Sequence, residues 1–355
     1  IVSGAPYKLS GECVWGRGSN MISVCFLLLP GTLIMDVAGP AEVFRLANQH
    51  LEARGRSARF SLQFISPEPT IMSSVGLAFD GIDPLPELGE LRKSGPVWLV
   101  LSGRSGPTAS IIHHDPVWLK ARTWLTRYVE LFNAHADSGC ALLTICAGAL
   151  LLADAGLASG RTLTTHHDFL DELARLAPQA QVLRNRLYVD DGNLLSSAGI
   201  TAGIDLALHC VSTVAGEGIA SATAQSMRVT RRRHRQEPEI SPLLRYRHHQ
   251  HQALLRVQDA VEADPAAPWE SITLASIAHI SPRQLLRVFR QQLGMSARDY
   301  IEAVRLYTLA QISDIERPDA HGLRLAGFSG TQQLRRARAR QAKREPTKAM
   351  KGDVA

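Results

Sequence analysis

Apolar positions follow two rhythms along this chain. Between Met21 and about residue 218, short apolar-rich runs alternate with stretches where apolar residues return every three or four positions, and the first run, 22–29, is continuous. The runs at 22–29, 59–66, 96–101, 141–145 and 194–197 have strand length, and Pro30-Gly31 closes the first. Unbroken apolar character is what a strand covered on both faces needs. Helical stretches lie between them at 40–50, 116–131, 147–155 and 202–214. Asp115 stands where a helix cap belongs, and Pro116 at the first helical position. The alternation predicts a flavodoxin-like, layered α/β domain with a mainly parallel sheet.

After residue 253 only the helical rhythm persists, to about 312, so this half is expected to be all α. Residues 228–252, RVTRRRHRQEPEISPLLRYRHHQHQ, crowd Arg, His and Pro and lose the rhythm. Residues 1–20 are rich in Gly, Ser and polar types and carry no rhythm, which reads as a disordered upstream extension. The expected plan is an extension over 1–20, an α/β domain over 21–218, a basic linker over 219–252, a helical domain over 253–345 and a tail over 346–355.

Composition changes this picture in four ways. Of 355 residues 45% are apolar and 20% charged, which excludes bulk disorder. The longest apolar stretch, 22–37, is broken by Pro30-Gly31, carries Asp36 and has no basic leader, so a cytoplasmic protein without a membrane partner is expected. Five cysteines (13, 25, 140, 146 and 210) are an odd number without a CxxC, which fits a reducing compartment and neither a disulfide frame nor a zinc site. The fourth point is charge. Residues 1–227 hold 16 Lys/Arg and 20 Asp/Glu, a balance of −4, whereas 228–355 hold 23 and 13, a balance of +10. A basic half points to a polyanion partner.

Within that half, residues 273–293 read TLASIAHISPRQLLRVFRQQL. Thr273 is placed to cap a short helix with Leu274, Ile277 and Ala278 on its apolar side, and His279-Ile280 makes a turn. Ser281 caps a second helix opened by Pro282, with Leu285, Leu286, Val288, Phe289 and Leu293 on its apolar side. Two short helices joined by a tight turn can present the second to a major groove. Its outer face would carry Arg283, Gln284, Arg287 and Arg290, types that pair with guanine, adenine or phosphate. A plain helical bundle also puts arginine on its wet side, and both readings stand on these residues alone.

The string L-A-x5-S-P-R-x-L-x-R-x-F-R-x3-G-x-S-x3-Y-x4-R-L, from 274 to 306, resembles the DNA-binding domain of the AraC/XylS family, and the likeness extends over 253–350. The resemblance implies two helix-turn-helix units joined by a long helix at about 296–313. It places Arg283, Gln284 and Arg287 on the first recognition helix. Gly327-Phe328-Ser329 matches the second turn, and a second recognition helix over 330–340 would carry Thr331, Gln332, Arg335 and Arg336. Arg338 and Ala342 stand where the family has buried aromatics, and Gly322 falls inside the preceding helix. A second unit that either packs differently or is weakened is therefore expected, with Arg335, Arg336, Arg338 and Arg340 acting through phosphate charge more than base contacts.

In the first half, ALLTICAGAL over 141–150 reads as strand, sharp turn and helix, with Cys146 at the bend. Such an elbow lifts a side chain above the sheet at a helix N-terminus, a geometry suited to a nucleophile. A lone cysteine is more often a small core residue. The surroundings resemble the PfpI-like, class I glutamine amidotransferase-like superfamily in four places. These are Pro30-Gly31 with Asp36 and Gly39-Pro40; Ser102-Gly103; Thr144 to Gly148, with Cys146 and Ala147; and 160–166, ending in His166. A fifth string, 197–205, with Thr201 and Asp205, resembles the members fused to AraC-type domains, the GlxA-like regulators.

The resemblance implies a site of Asp36, Gly103, Cys146, Ala147, His166 and Thr201, with the acidic residue facing the cysteine. It serves either as a sensor pocket for an amino acid or quaternary amine, or as a Cys-dependent hydratase, amidase or deglycase site. A thiol redox sensor, with Cys140 or Cys25 as partner, is a third use. The linker histidines His248, His249 and His251 have no Cys or acidic partner at ligand spacing. No metal or other cofactor is expected there, nor at His113-His114 or His166-His167. The overall expectation is a non-enzymatic, homodimeric regulator that binds double-stranded promoter DNA and a small-molecule inducer and works with RNA polymerase.

Overall fold

The computed structural model describes residues 21–91, 95–112, 115–133, 139–199, 201–229, 233, 241–312 and 318–344. The 1–20 extension, His113-His114 and the 346–355 tail lie outside the described residues. The chain divides into two compact units, 1–239 and 240–355.

In chain order the first unit runs β1 (Ile22–Leu27), α1 (Ile34–Glu52), β2 (Phe60–Ser66), β3 (Ile71–Met72), β4 (Ala78–Phe79), β5 (Asp83–Pro84), α2 (Leu88–Leu91), β6 (Val97–Leu101), α3 (Thr108–Ile111), α4 (Pro116–Asn133) and β7 (Ala141–Ile145). It continues with α5 (Gly148–Asp154), β8 (Thr162–Leu163), a 3-10 turn at His167–Phe169, α6 (Leu170–Leu176), β9 (Gln181–Val182), β10 (Tyr188–Asp191), β11 (Leu194–Ser197), α7 (Ala202–Ala215) and α8 (Glu217–Ser226). Seven strands form one sheet in the order β10-β11-β7-β6-β1-β2-β5. Only the β10–β11 pair is antiparallel. The inner order β2-β1-β6-β7-β11 is the flavodoxin-like succession. Every residue of β1, β6 and β7 is buried, which is why they read as unbroken apolar runs. Phe44, Phe60 and Trp98 pack ring against ring, with centroids 5.0–6.0 Å apart, and join α1 to the sheet.

Growth of this sheet reverses between β1 and β6. Doubly wound sheets bind ligands at such a switch point, outside the C-terminal strand ends. Helix α1 starts at Ile34 rather than at 40, and so brings Asp36 into its first turn. Pro40 then lies inside the helix, where it has no N–H to offer the carbonyl of Asp36. Asp115 caps α4 as expected, accepting from the Trp118 N–H at 2.8 Å.

The second unit is α-helical among its described residues: α9 (Pro242–Arg245), α10 (Gln252–Ala263), α11 (Ser271–Ala278), α12 (Pro282–Leu293), α13 (Ala297–Ile312), α14 (Ala320–Leu325) and α15 (Thr331–Arg344). One core gathers Leu254, Val257, Phe289 and Tyr300, and a smaller one Leu309, Leu323, Phe328, Leu334 and Ala337; α13 supplies residues to both. The segment read as linker, 219–252, is corrected at both ends. Helix α8 packs on α1 and α7, whereas α9 packs on α13. No helix among the described residues is long and apolar enough to cross a membrane.

A Cβ placed on Gly148, the first residue of α5, would lie 2.1 Å from the Leu101 carbonyl oxygen at the end of β6. The oxygen is backbone and the Cβ position is set by backbone, so neither can swing aside. Gly148→Ala should lower the unfolding free energy by at least about 3 kcal/mol, the upper end of overpacking costs. Urea unfolding checks this; an unchanged midpoint would contradict the contact.

Candidate functional site

Loops leave the C-terminal ends of β1, β6 and β7 at the switch point, and each brings an expected residue. Cys146 follows β7 with φ of 54°, a left-handed conformation uncommon outside glycine. Its backbone is clamped on both sides. The N–H donates to the Ser197 carbonyl at 3.1 Å, and the carbonyl accepts from Thr165 Oγ1 at 2.8 Å. The elbow read from sequence is present, with Cys146 only 4% exposed.

Asp36 is fully buried. Its Oδ2 accepts from the Gly103 N–H at 3.0 Å, and its Oδ1 has no hydrogen-bond partner among the described residues. A Cβ on Gly103 would lie 2.8 Å from Asp36 Oδ2 and 3.0 Å from the Ala147 nitrogen, so Asp36, Gly103 and the elbow meet at one point where only glycine fits. Burial pushes the Asp36 carboxyl up to about 7, against the Gly103 hydrogen bond, which pulls it down. Such a carboxyl accepts from a cation when ionised and donates when protonated.

Arg104 supports this loop, and the sequence reading did not single it out. Its Nε donates to the Pro30 carbonyl at 2.9 Å, Nη1 to the Ile111 carbonyl at 3.2 Å and Nη2 to Asp115 Oδ2 at 3.0 Å. The loops after β1 and β6 are also joined directly, by the Leu33 N–H to the Gly103 carbonyl at 3.0 Å. An arginine inside a Ser-Gly loop was the signal available.

Thr165 reaches the Cys146 carbonyl, and the next residue, His166, sits differently. His166 Nδ1 accepts from the Asp168 N–H at 3.4 Å and lies 3.4 Å from Asp168 Oδ2, while its ring packs 4.1 Å from that of His167. Ligand-type atoms of His166, His167 and Asp168 lie within 4.8 Å of one another, and His167 Nε2 lies 3.3 Å from Asp168 Oδ1. Thr201 is exposed, and its hydroxyl accepts from Arg233 Nη2 at 2.9 Å. Its neighbour Ile200 lies outside the described residues.

In the second unit, α11 and α12 meet through His279, at φ of 55°. Ser281 Oγ accepts from the Gln284 N–H at 3.3 Å, and Gln284 Oε1 accepts from the Ser281 N–H at 2.9 Å, closing a capping box. The Gln284 side chain commits its carbonyl oxygen to this cap. Two expectations are corrected here. Thr273 lies inside α11, which starts at Ser271. Leu286 is 45% exposed, off the apolar face. Helix α12 buries Leu285, Val288 and Phe289, and exposes Arg283, Arg287 and Arg290.

The second turn follows the same plan. Asp319 caps α14 through the Gly322 N–H at 2.7 Å, and Gly327 turns the chain at φ of 82°. A Cβ at Gly327 would meet Arg305 Nε at 2.7 Å and the Pro265 carbonyl at 2.8 Å. On α15, Thr331, Gln332, Arg335 and Arg336 are exposed, while Leu334 and Ala337 are buried. Ala337 thus faces the core where Arg338 was expected, and Arg338 is half-buried; the Ala342 side chain lies outside the described residues. Arg340 is corrected too. It donates to the buried Glu302 through Nε at 2.7 Å and Nη2 at 2.5 Å, so its charge is already matched.

Asp36 gives the first unit a pH signature. Its carboxyl is raised from 3.8 to about 7 on folding, so the folded chain holds an extra proton between those values. Its contribution to stability therefore falls as pH rises through that window, and levels off above it. The unfolding free energy of Asp36→Asn relative to wild type should rise across the window by on the order of a few kcal/mol and then stay flat. A difference independent of pH would contradict the buried carboxyl.

Comparison with known proteins agrees with both units. The DJ-1/PfpI family model matches residues 119–213, which include Cys146, Ala147, His166 and Thr201. The HTH-type transcriptional regulator GbdR of Pseudomonas aeruginosa is 26% identical over 296 residues, covering 83% of this chain and 75% of its own. CdhR from the same organism, also named an HTH-type transcriptional regulator, is 27% identical over 81% of this chain and 79% of its own. A shorter match is the isonitrile hydratase of Pseudomonas putida, 37% identical over 27% of this chain and 40% of its own. A solved structure of an AraC family transcriptional regulator from Pseudomonas putida covers 58% of this chain and 99% of its own, at 20% identity and a TM-score of 0.46. The chain is thus similar over most of its length to HTH-type transcriptional regulators, with a DJ-1/PfpI segment in its α/β unit.

Proposed function

We propose that this chain is a cytoplasmic, homodimeric transcriptional regulator. Its helical unit binds double-stranded promoter DNA, and its α/β unit binds a small-molecule inducer. The observation that carries the reading is α12. Its inner side is buried, its outer side exposes Arg283, Arg287 and Arg290, and a left-handed turn with a capping box fixes its start. That is how a second helix is presented to a major groove. The relatives named HTH-type regulators, matched over 81–83% of the chain, support it.

Helix α12 supplies the base contacts in this reading, and α15 grips phosphate through Arg335 and Arg336. The Asp36–Gly103–Cys146 site acts as a sensor and not as an enzyme, because the relatives spanning both units are regulators. Its inducer is an amino acid or quaternary amine whose cationic group meets Asp36 Oδ1, the buried oxygen without a partner. The inducer favours one arrangement of the chain and shifts its population, which changes how RNA polymerase is engaged.

On a fragment the wild type selects, Arg287→Ala should weaken binding by about 1–3 kcal/mol and relax base preference. Arg336→Ala should weaken all fragments alike and reduce the dependence of log affinity on log salt by about one. The paired change Glu302→Gln with Arg340→Gln should leave that slope as it is. Titrations at several salt concentrations measure all three. Unchanged affinity and preference in Arg287→Ala would overturn the role of α12.

A further inference from the structure

One buried carboxylate of the α/β unit takes no part in the site described above. Asp205 lies in the first turn of α7, with its side chain 3% exposed. Arg233, beyond the end of α8, reaches it with three donors. The backbone N–H gives to Oδ1 at 3.1 Å, Nε to Oδ2 at 2.9 Å and Nη2 to Oδ2 at 2.6 Å. Nη2 also gives to Thr201 Oγ1 at 2.9 Å. A planar guanidinium that meets a buried carboxylate with its fork, and adds its own amide, is a specific fastening.

The fastening sits close to the site. A Cβ on Gly203 would lie 2.9 Å from Ile145, the residue before Cys146, and 3.4 Å from Pro40. A Cβ on Gly39 would lie 2.9 Å from Ile204. The first turn of α7 thus touches the strand that precedes Cys146 and the helix that carries Asp36. On its other side, residues 234–241 are all that separate Arg233 from α9, the first helix of the second unit.

We propose that Asp205 and Thr201 are positioning residues that seat Arg233. The seat relays a shift at the Asp36–Cys146 site to Arg233, from which the chain runs on to the DNA-binding unit. The relay rests on the regulator reading; the seat does not.

Hydrogen–deuterium exchange of the full chain, read by mass spectrometry, tests the seat. Peptides containing residue 233 should exchange at least tenfold faster in Arg233→Ala and Asp205→Ala than in wild type, with Arg233→Lys in between. Should Asp205→Ala fail to fold, Arg233→Ala decides, because it lies outside every helix and strand. Equal exchange in wild type and Arg233→Ala would overturn the seat. On a fragment selected by the wild type, Arg233→Ala should change affinity at least threefold without changing the preferred sequence; unaltered affinity would overturn the relay. A wild type that selects no fragment would overturn the regulator reading and leave the exchange result to judge the seat alone.

Discussion

The contact between the Leu101 carbonyl and Gly148 governs the α/β unit. It presses the start of α5 against the end of β6, closer than any side chain permits. The chain leaving β7 then has Cys146 and Ala147 in which to turn, and Cys146 takes a left-handed conformation that Ser197 and Thr165 hold from either side. The same closeness sets the Ala147 nitrogen beside Gly103, whose amide fixes the carboxylate of Asp36. Strand order, elbow and buried acid are therefore one construction. Backbone strain of this kind persists only where surrounding structure over-determines it.

The helical unit has its own constraint in α13. Arg305 donates to the Pro265 and Ala267 carbonyls, both at 2.7 Å, and Gly327 passes over that contact because it has no side chain. Three residues earlier, the buried Glu302 gathers Arg298 and Arg340. Removing one partner of a buried pair leaves an uncompensated charge, which is costly. Part of the basic character of this half is thus structural. Among the described residues, Arg283, Arg287 and Arg290 of α12 and Arg335 and Arg336 of α15 stay exposed.

The large features were legible because they rest on period and punctuation. The buried central strands show as apolar runs, the Ser281-Pro282 start of α12 as a cap, and the elbow as an apolar run ending at Cys146-Ala-Gly148. Other features rest on distances that no local pattern encodes. Two-residue ladders such as β3–β4 and β8–β9 are too short to show a period, and β10 carries two aspartates at the sheet edge. Arg104, Arg340 and Arg233 look alike in sequence as surface charge, yet each holds a carboxylate elsewhere in the chain. Gln284 had the composition of a base reader, but its neighbour Ser281 claimed its carbonyl first. Thr201 matched a motif string without its side chain being buried.

The central claim is that the exposed arginine face of α12 reads sequence in DNA. Selection from random genomic fragments at about physiological salt tests it most directly, comparing the full chain with a variant carrying Arg283→Ala, Arg287→Ala and Arg290→Ala together. The account predicts that the wild type enriches a reproducible set of fragments and that the variant retains only unselective, salt-sensitive binding. Enrichment of the same set by the variant would contradict it.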